Sequence, residues 1–259
     1  MPPRRILITG SSDGLGLLAA QRLISRGHHV TLHARNAQRS LDAQSACPNA
    51  SSILIADLSS LSETKHMAST LAASPPYDCI IHNAGLYRGP FNATPDGIPA
   101  LAAVNTVAPY VLTCLAPRPK RIVFLSSEMH QSGTGSSDPL WEQRGASAWS
   151  DTTAYCDSKL HNVMFAKGFA DMWPGVCATS LDPGWVATKM GGSAASGDPE
   201  MAVATYVMLA EGEEEGAKKS GAYWRPGKRE DRCNRVAEDE GARRRLFEAL
   251  EKFTGVKPS

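Results

Sequence analysis

Little in this 259-residue chain leans to one side. Lys and Arg number 27 against 26 Asp and Glu, a formal net charge of +1 with histidine neutral. No global basic field exists to hold DNA or RNA, and no acidic excess marks a disordered solvating chain. The six cysteines stand at 47, 79, 114, 156, 177 and 233, no two closer than 21 positions. That scatter excludes CxxC, zinc-finger spacing and a dense disulfide framework, and it fits reduced thiols in a cytoplasmic compartment. No apolar run reaches the ~18 residues of a membrane span. The start, Met1-Pro-Pro-Arg-Arg5, is basic but passes at once into Ile6-Leu-Ile8, too short an apolar stretch for a signal-peptide core. What the chain does have is length and a 42% apolar fraction, enough for one large domain with a real core. No internal repeat divides it, so residues 1–259 read as a single domain.

Seven short runs read as strands: Arg5–Thr9, His29–Ala34, Ile53–Ala56, Cys79–His82, Arg121–Leu125, Cys177–Leu181 and Gly221–Trp224. They are apolar with little alternation, as strands buried on both faces are. Between most of them lie helical patterns: Leu15–Ser25 with Gly27 as its stop, Leu61–Ala72, Ala100–Leu115, Thr153–Asp171 and Glu200–Ala210. The alternation predicts an α/β fold, a seven-stranded parallel sheet with helices on both faces. Ligands in such sheets bind beyond the carboxyl ends of the strands. The charge-rich stretch 211–245, with Glu211-Gly-Glu-Glu-Glu215 and Arg243-Arg-Arg245, reads as solvated surface.

The first strand runs into Thr9-Gly10-Ser11-Ser12-Asp13-Gly14-Leu15-Gly16, directly before a helix. Glycines let the chain turn sharply and let a phosphate approach the backbone. The free N–H groups of the helix start, with the positive end of its dipole, favour an anion. The same stretch also matches G-x-S-x-G with Ser12 in the middle, the nucleophile elbow of serine hydrolases. That rival predicts Ser12 as nucleophile with a downstream acid and histidine. His130 and His161 are available but nothing frames them, and an elbow on the first strand leaves no earlier strand to supply a second oxyanion donor.

Tyr155-Cys-Asp-Ser-Lys159 opens a helical pattern, and a four-residue spacing puts both side chains on one face. A phenol with a reference pKa of ~10 is a poor proton carrier at neutral pH. A neighbouring ammonium stabilises the phenolate and makes the pair a general acid/base. The pair gains weight from the glycine turn and from Ser126-Ser127 at the end of the fifth strand.

Taken together these residues resemble the short-chain dehydrogenase/reductase family over nearly the whole length. The motifs are Thr9–Gly16, Asp57 after the third strand, Asn83-Ala84-Gly85 after the fourth, Asn105, Ser126-Ser127, Tyr155-x-x-x-Lys159 and Pro183-Gly184-Trp185-Val186-Ala187-Thr188. The segment Trp141-Glu-x-Arg144 through Asn162 is similar to retinol-dehydrogenase-like and carbonyl-reductase-like members, which carry extra residues before the tyrosine. The resemblance implies a Rossmann-type doubly wound fold and hydride transfer between a nicotinamide and a carbonyl or secondary-alcohol carbon. It implies Tyr155 as proton donor or acceptor, and Lys159 on the nicotinamide ribose, lowering the phenol's pKa. Ser127 falls on the substrate oxygen. Asn105 completes the tetrad through its backbone carbonyl, which Pro109, lacking an N–H, would leave free.

The resemblance further implies a cofactor surface of Gly10, Ser12, Asp13, Gly14, Leu15, Gly16, Arg35, Asp57, Leu58, Asn83, Ala84, Gly85, Tyr155, Lys159, Pro183, Gly184, Val186 and Thr188. Asp57 would meet the adenine, or else simply cap a turn before Ser59-Ser60. The second strand ends Leu32-His33-Ala34-Arg35-Asn36 with no acid to repel a 2′-phosphate, and Arg35 could grip one, so NADP(H) is expected over NAD(H). Segments 131–152 and 189–199 flank the expected cleft as substrate loops, with Trp141, Trp149, Trp185 and Met190 as candidate contacts for an apolar ketone, aldehyde or alcohol. Neither metal nor nucleic acid enters this reading. The family implies a homo-oligomer, dimer or tetramer, but the 105–120 region is short and Pro117 and Pro119 end its helix firmly. A redox-neutral or non-catalytic nucleotide-binding relative is the alternative.

Overall fold

Aliphatic and β-branched runs too short for helices form the strands of one sheet. In this computed structural model, which describes residues 2–91 and 93–258, they are β1 (Arg5–Ile8), β2 (His29–Ala34), β3 (Ser52–Ile55) and β4 (Cys79–His82). β5 (Arg121–Leu125), β6 (Cys177–Leu181), β7 (Tyr223–Arg225) and β8 (Arg229–Asp231) follow. Met1, part of the basic start, lies outside the described residues. The order is β3-β2-β1-β4-β5-β6-β7-β8. β1 to β7 run parallel, and β8 turns back antiparallel along β7. Among the described residues the sheet therefore has eight strands rather than seven. The eighth escaped notice because Arg229–Asp231 is short and wholly exposed, with no apolar signal.

The chain winds outward from β1 to β3, then restarts at β4 on the other side of β1. That reversal opens a crevice at the carboxyl ends of β1 and β4. α1 (Gly14–Ser25), α2 (Ala37–Ala46) and α3 (Leu61–Ala72) link the first four strands. α4 (Ala100–Ala102), a π-helical turn (Ala103–Val107) and α5 (Ala108–Leu115) form one interrupted segment before β5. α6 (Asp151–Met172), α7 (Pro199–Glu211) and α8 (Glu240–Thr254) complete the set. α2 carries no apolar stripe and buries only Ala43, which hid it from pattern reading. α8 lies within and beyond the stretch expected to be solvated surface. It buries Ala242, Leu246 and Leu250, and Ala217, Tyr223 and Trp224 of the same region are core residues too.

Alternate residues of β5 serve opposite layers, as a strand's period of two requires. Ile122 and Phe124 pack with Tyr110, Phe165, Phe169 and Leu250 under α5, α6 and α8, while Val123 and Leu125 pack with Leu23, Val30 and Tyr206 under α1 and α7. A third cluster, with Leu7, Ile80 and Met67, lies between the sheet and α3 and α5. Among the described residues no helix is long and apolar enough to cross a membrane.

Candidate functional site

The glycine turn is strapped to the end of β4. Asn83 Nδ2 donates to the carbonyls of Thr9 and Gly10, both at 2.9 Å, and Thr9 Oγ1 accepts from the N–H groups of Asn83 and Ala84 at 3.0 Å. Asn83 Oδ1 in turn accepts from the Tyr206 hydroxyl at 2.8 Å. The approach is close enough that only glycine fits. A Cβ on Gly10 would lie 2.7 Å from Ala84 Cα, and one on Gly16 would lie 2.5 Å from Asn83 Nδ2. His33, buried beneath the turn, accepts the Gly10 N–H on Nδ1 at 2.9 Å and meets the Ala56 carbonyl with Nε2.

Gly14 opens α1, and Asp13 occupies the N-cap position without a side-chain capping bond. The first-turn N–H groups of Gly14, Leu15 and Gly16 are thus not covered by a capping side chain. The Asp13 carboxylate instead pairs with Arg39 and, at 3.3 Å, with Lys189. Arg39 Nη2 also lies 3.2 Å from Ser12 Oγ. Among the described residues no histidine is bonded to Ser12, so the hydrolase arrangement is not assembled. Arg35 is exposed at the end of β2. Asp57 accepts from both the N–H and the hydroxyl of Ser59, at 2.9 and 2.7 Å, so one of its oxygens serves the turn. Leu58 is buried in the layer under α3.

Ser150 caps α6 by accepting the Thr153 N–H on its hydroxyl, and the helix carries Tyr155 and Lys159 one turn apart. Lys159 is buried, and its Nζ donates to the Leu125 carbonyl at 3.0 Å while lying 5.3 Å from the Tyr155 ring centre. Desolvation lowers Lys159 to about 8, opposed by the charge of buried Asp182. Burial pushes the Tyr155 phenol up, and a hydrogen bond from the Ser127 side chain pulls partly the other way. The expected lowering of the phenol by the ammonium is therefore not what governs here. The dry surroundings dominate, and Lys159 is held on a strand-end carbonyl. Ser127 is itself held: Met129 N–H donates to its hydroxyl and His130 Nδ1 lies 2.7 Å from its carbonyl. Ser126 donates to the Lys159 carbonyl at 2.8 Å, tying β5 to α6.

Asn105 sits in the π-helical turn, where Ala108 N–H reaches back to Ala103. Its side chain clamps Leu86, accepting the Leu86 N–H at 2.7 Å and donating to the Leu86 carbonyl at 2.8 Å. Its backbone carbonyl, expected to stand free, accepts from Asn162 Nδ2 at 2.9 Å, and the same amide also reaches the Ser158 carbonyl. Pro109 removes one backbone donor and Asn162 replaces it. A Cβ on Gly85 would sit 3.5 Å from both Asn105 Oδ1 and Lys159 Nζ, so Gly85, Asn105 and Lys159 converge at the end of β4.

The cleft wall is aromatic. Tyr87 meets Tyr155 edge-on at 4.7 Å, Phe91 meets Trp149 at 5.5 Å, and Trp149 meets Trp141 at 4.9 Å. Trp141 is buried under the Arg144 guanidinium, 3.6 Å from its ring centre, and packs in one cluster with Trp149 and Tyr155. Trp185 and Met190 are exposed, and Trp185 Nε1 donates to the Gly191 carbonyl. Gly184 adopts a φ of +79° beside Pro183 and donates to Asp182 at 2.8 Å; Val186 is buried, and Thr188 holds Gly191 and Gly192. Thr188 also lies opposite Gly14. Segment 131–152 is tied down rather than loose. Asp138 accepts from the N–H groups of Glu142, Gln143 and Arg144, and Asp157 on α6 accepts from Thr134.

The pattern reading passed over Arg39, Tyr87, Asn162, Asp182, Lys189 and Tyr206. The rule of opposite charge near a phosphate turn would have found Arg39 had α2 been recognised. The others carry no local signal, because each acts through a tertiary contact.

The family model for short chain dehydrogenases matches residues 4–139. A short-chain dehydrogenase of Penicillium rubens, chyC, is 43% identical over 254 residues, covering 98% of each chain. Human retinol dehydrogenase 13 is 30% identical over 294 residues, covering 99% of this chain and 86% of the relative. Among solved structures, an uncharacterized protein from Mycobacterium paratuberculosis gives a TM-score of 0.81 at 25% identity, covering 99% of this chain and 95% of that one. A blue fluorescent protein from a metagenomic library, in complex with NADPH, gives 0.69 at 20% identity, covering 87% and 97%.

Proposed function

The chain belongs to the short-chain dehydrogenase/reductase family and is an NAD(P)-dependent oxidoreductase of CH–OH and C=O groups; from that premise we propose that it is an NADPH-dependent carbonyl reductase acting on ketones or aldehydes of small apolar molecules. The observation that carries this reading is the buried Tyr155 phenol on α6, with Lys159 one turn on and its Nζ 5.3 Å from the Tyr155 ring centre. At neutral pH the phenol is protonated, which is the form a reductase needs as its acid, and the Lys159 ammonium would ease the departure of its proton.

The residues present fit a dinucleotide. An uncapped helix start, a glycine turn with room only for backbone, and a rim of Arg35, Arg39 and Lys189 are the donors that a diphosphate and a 2′-phosphate require. When bound, the nicotinamide supplies the hydride. Ser127 and Tyr155 donate hydrogen bonds to the carbonyl oxygen of the substrate. As negative charge develops on that oxygen, the Tyr155 proton passes to it, and the Lys159 ammonium stabilises the phenolate left behind. Asn105 and Asn162 fix the segment that faces Lys159. Gly10, Gly14, Gly16, Asn83, Ala84 and Gly85 form the floor under the diphosphate and ribose, and Pro183, Gly184, Val186 and Thr188 the edge at the nicotinamide. Tyr87, Phe91 and Trp149 wall the substrate with apolar surface, and Trp185 and Met190 form the lip.

The absence of an acid after β2 and the NADPH carried by the metagenomic protein of the same fold both favour NADPH. Six free cysteines suit a reducing compartment such as the cytoplasm. The test follows NADPH absorbance with a panel of apolar ketones and aldehydes. Tyr155→Phe is expected to lower kcat by ~10²–10⁴-fold with the fold intact. Unchanged function in that variant would identify a binding module instead.

A further inference from the structure

Resting on the dinucleotide reading above, we propose that the Asp13 carboxylate is an internal stand-in for phosphate, which holds Arg39 and Lys189 in the free protein and is displaced from them when the cofactor binds. Three elements meet at this carboxylate. Arg39 comes from α2, immediately after β2. Lys189 comes from the loop after β6. Asp13 lies on the glycine turn between them, at the uncapped start of α1.

A carboxylate at a helix N-cap ordinarily turns inward to accept the N–H groups two or three residues on. Asn36, Ser60, Ser150, Asp198 and Asp239 all do so at their own helices. Asp13 makes no such bond. It turns outward to two cations and leaves the helix start open to an anion. The other groups facing the cluster are Asp42, 3.1 Å from Arg39 Nη1, and the Ser12 hydroxyl at Arg39 Nη2, with Arg35 exposed nearby in sequence. Two cations, Arg39 and Lys189, thus meet two carboxylates. The local charge is balanced and draws a doubly charged phosphate only weakly while Asp13 keeps its charge.

The exchange follows. Arg39 leaves Asp13 for the 2′-phosphate, keeping Asp42 as its second partner, and Lys189 leaves it for the diphosphate. Asp13 thereby acts as a specificity-determining residue. It weakens cofactor binding, and it weakens NADPH more than NADH, because only NADPH recruits Arg39 with a phosphate. It also spans the glycine turn and the loop after β6, so cofactor binding releases one end of the 189–199 substrate segment.

The experiment is isothermal titration of the full chain with NADPH, NADH and 2′,5′-ADP, with thermal melts as a folding control. Wild type and the Asp13→Asn, Asp13→Ser, Arg39→Gln and Lys189→Gln variants are compared. Asp13→Asn and Asp13→Ser are expected to tighten NADPH and 2′,5′-ADP by about 2–5-fold, and NADH by less. Arg39→Gln is expected to weaken NADPH and 2′,5′-ADP by ~10–100-fold while sparing NADH. Lys189→Gln should weaken both dinucleotides alike. Combining Asp13→Asn with Arg39→Gln should erase the NADPH-selective gain. Unchanged or weaker NADPH binding in both folded Asp13 variants overturns the stand-in while leaving the dinucleotide reading standing. Failure of the wild type to bind either dinucleotide overturns both.

Discussion

Burial acts in opposite senses on Tyr155 and Lys159 of α6, lifting the phenol and bringing the ammonium down to about 8. Both shifts favour the neutral form. If reduction needs a charged Lys159, kcat/KM for NADPH should hold through neutral pH and fall above about pH 8 as that proton leaves. Lys159→Arg should move the fall to higher pH, which a pH–rate profile will read. The same shift bears on stability in the cofactor-free protein. The folded pKa is depressed below the usual lysine value, so the unfolded chain binds more protons from about pH 8 upward. The penalty of the buried charge is fully present below that pH and is relieved as pH rises through it. Lys159→Met should therefore raise Tm near pH 7 and remove part of the alkaline gain seen in wild type. Tyr155, Lys159, Ser127 and the glycines were legible because family motifs pin them to strand ends. Arg39 and Asn162 were not, since their partners lie 26 and 57 positions away in the chain.

The interrupted helix before β5 and the loop before α6 carry the next layer of the argument. Asn162 stands in for the N–H that Pro109 lacks, and its removal leaves the Asn105 carbonyl short of a donor. Asn162→Ala should cost about 1–3 kcal/mol in urea unfolding and lower kcat more than it raises the ketone KM. Asp138 holds three successive N–H groups, and Trp141 sits in the left-handed region at a φ of 61°, where a bulky residue persists only under external restraint. Asp138→Ala should loosen residues 139–149. Limited proteolysis should cut there faster, and the ketone KM should rise with kcat less affected. Seven strands could be read as short apolar runs, and the helices with apolar stripes from their periodicity. α2, α8 and β8 could not: the first has almost no buried residue, the second is amphipathic within a charged stretch, and the third is exposed along its whole length.

At the scale of the whole molecule, α8 lies over α5 and α6. Residues 154–166 of α6 are all buried within one chain. Phe247 of α8 packs on Tyr110, Phe165 and Phe169, Lys65 holds the Thr254 carbonyl, and Tyr110 holds that of Val256. α8 thus covers the aromatic surface that Tyr110 of α5 and Phe165 and Phe169 of α6 would otherwise present. Light scattering after size exclusion should give the monomer mass of 27.7 kDa. Phe247→Asp should uncover aromatic surface and shift the species to larger sizes.

The reversal at β8 has a consequence for behaviour at high concentration. An open sheet ends in a row of unsatisfied amides and carbonyls that another chain can extend. Here the edge strand β8 is Arg229, Glu230 and Asp231, whose side chains engage Asp231, Lys219 and Arg225 of the same molecule. A border so charged resists fibril growth by strand addition, leaving the opposite margin, where Ile55 of β3 is bare, as the side from which self-association would begin.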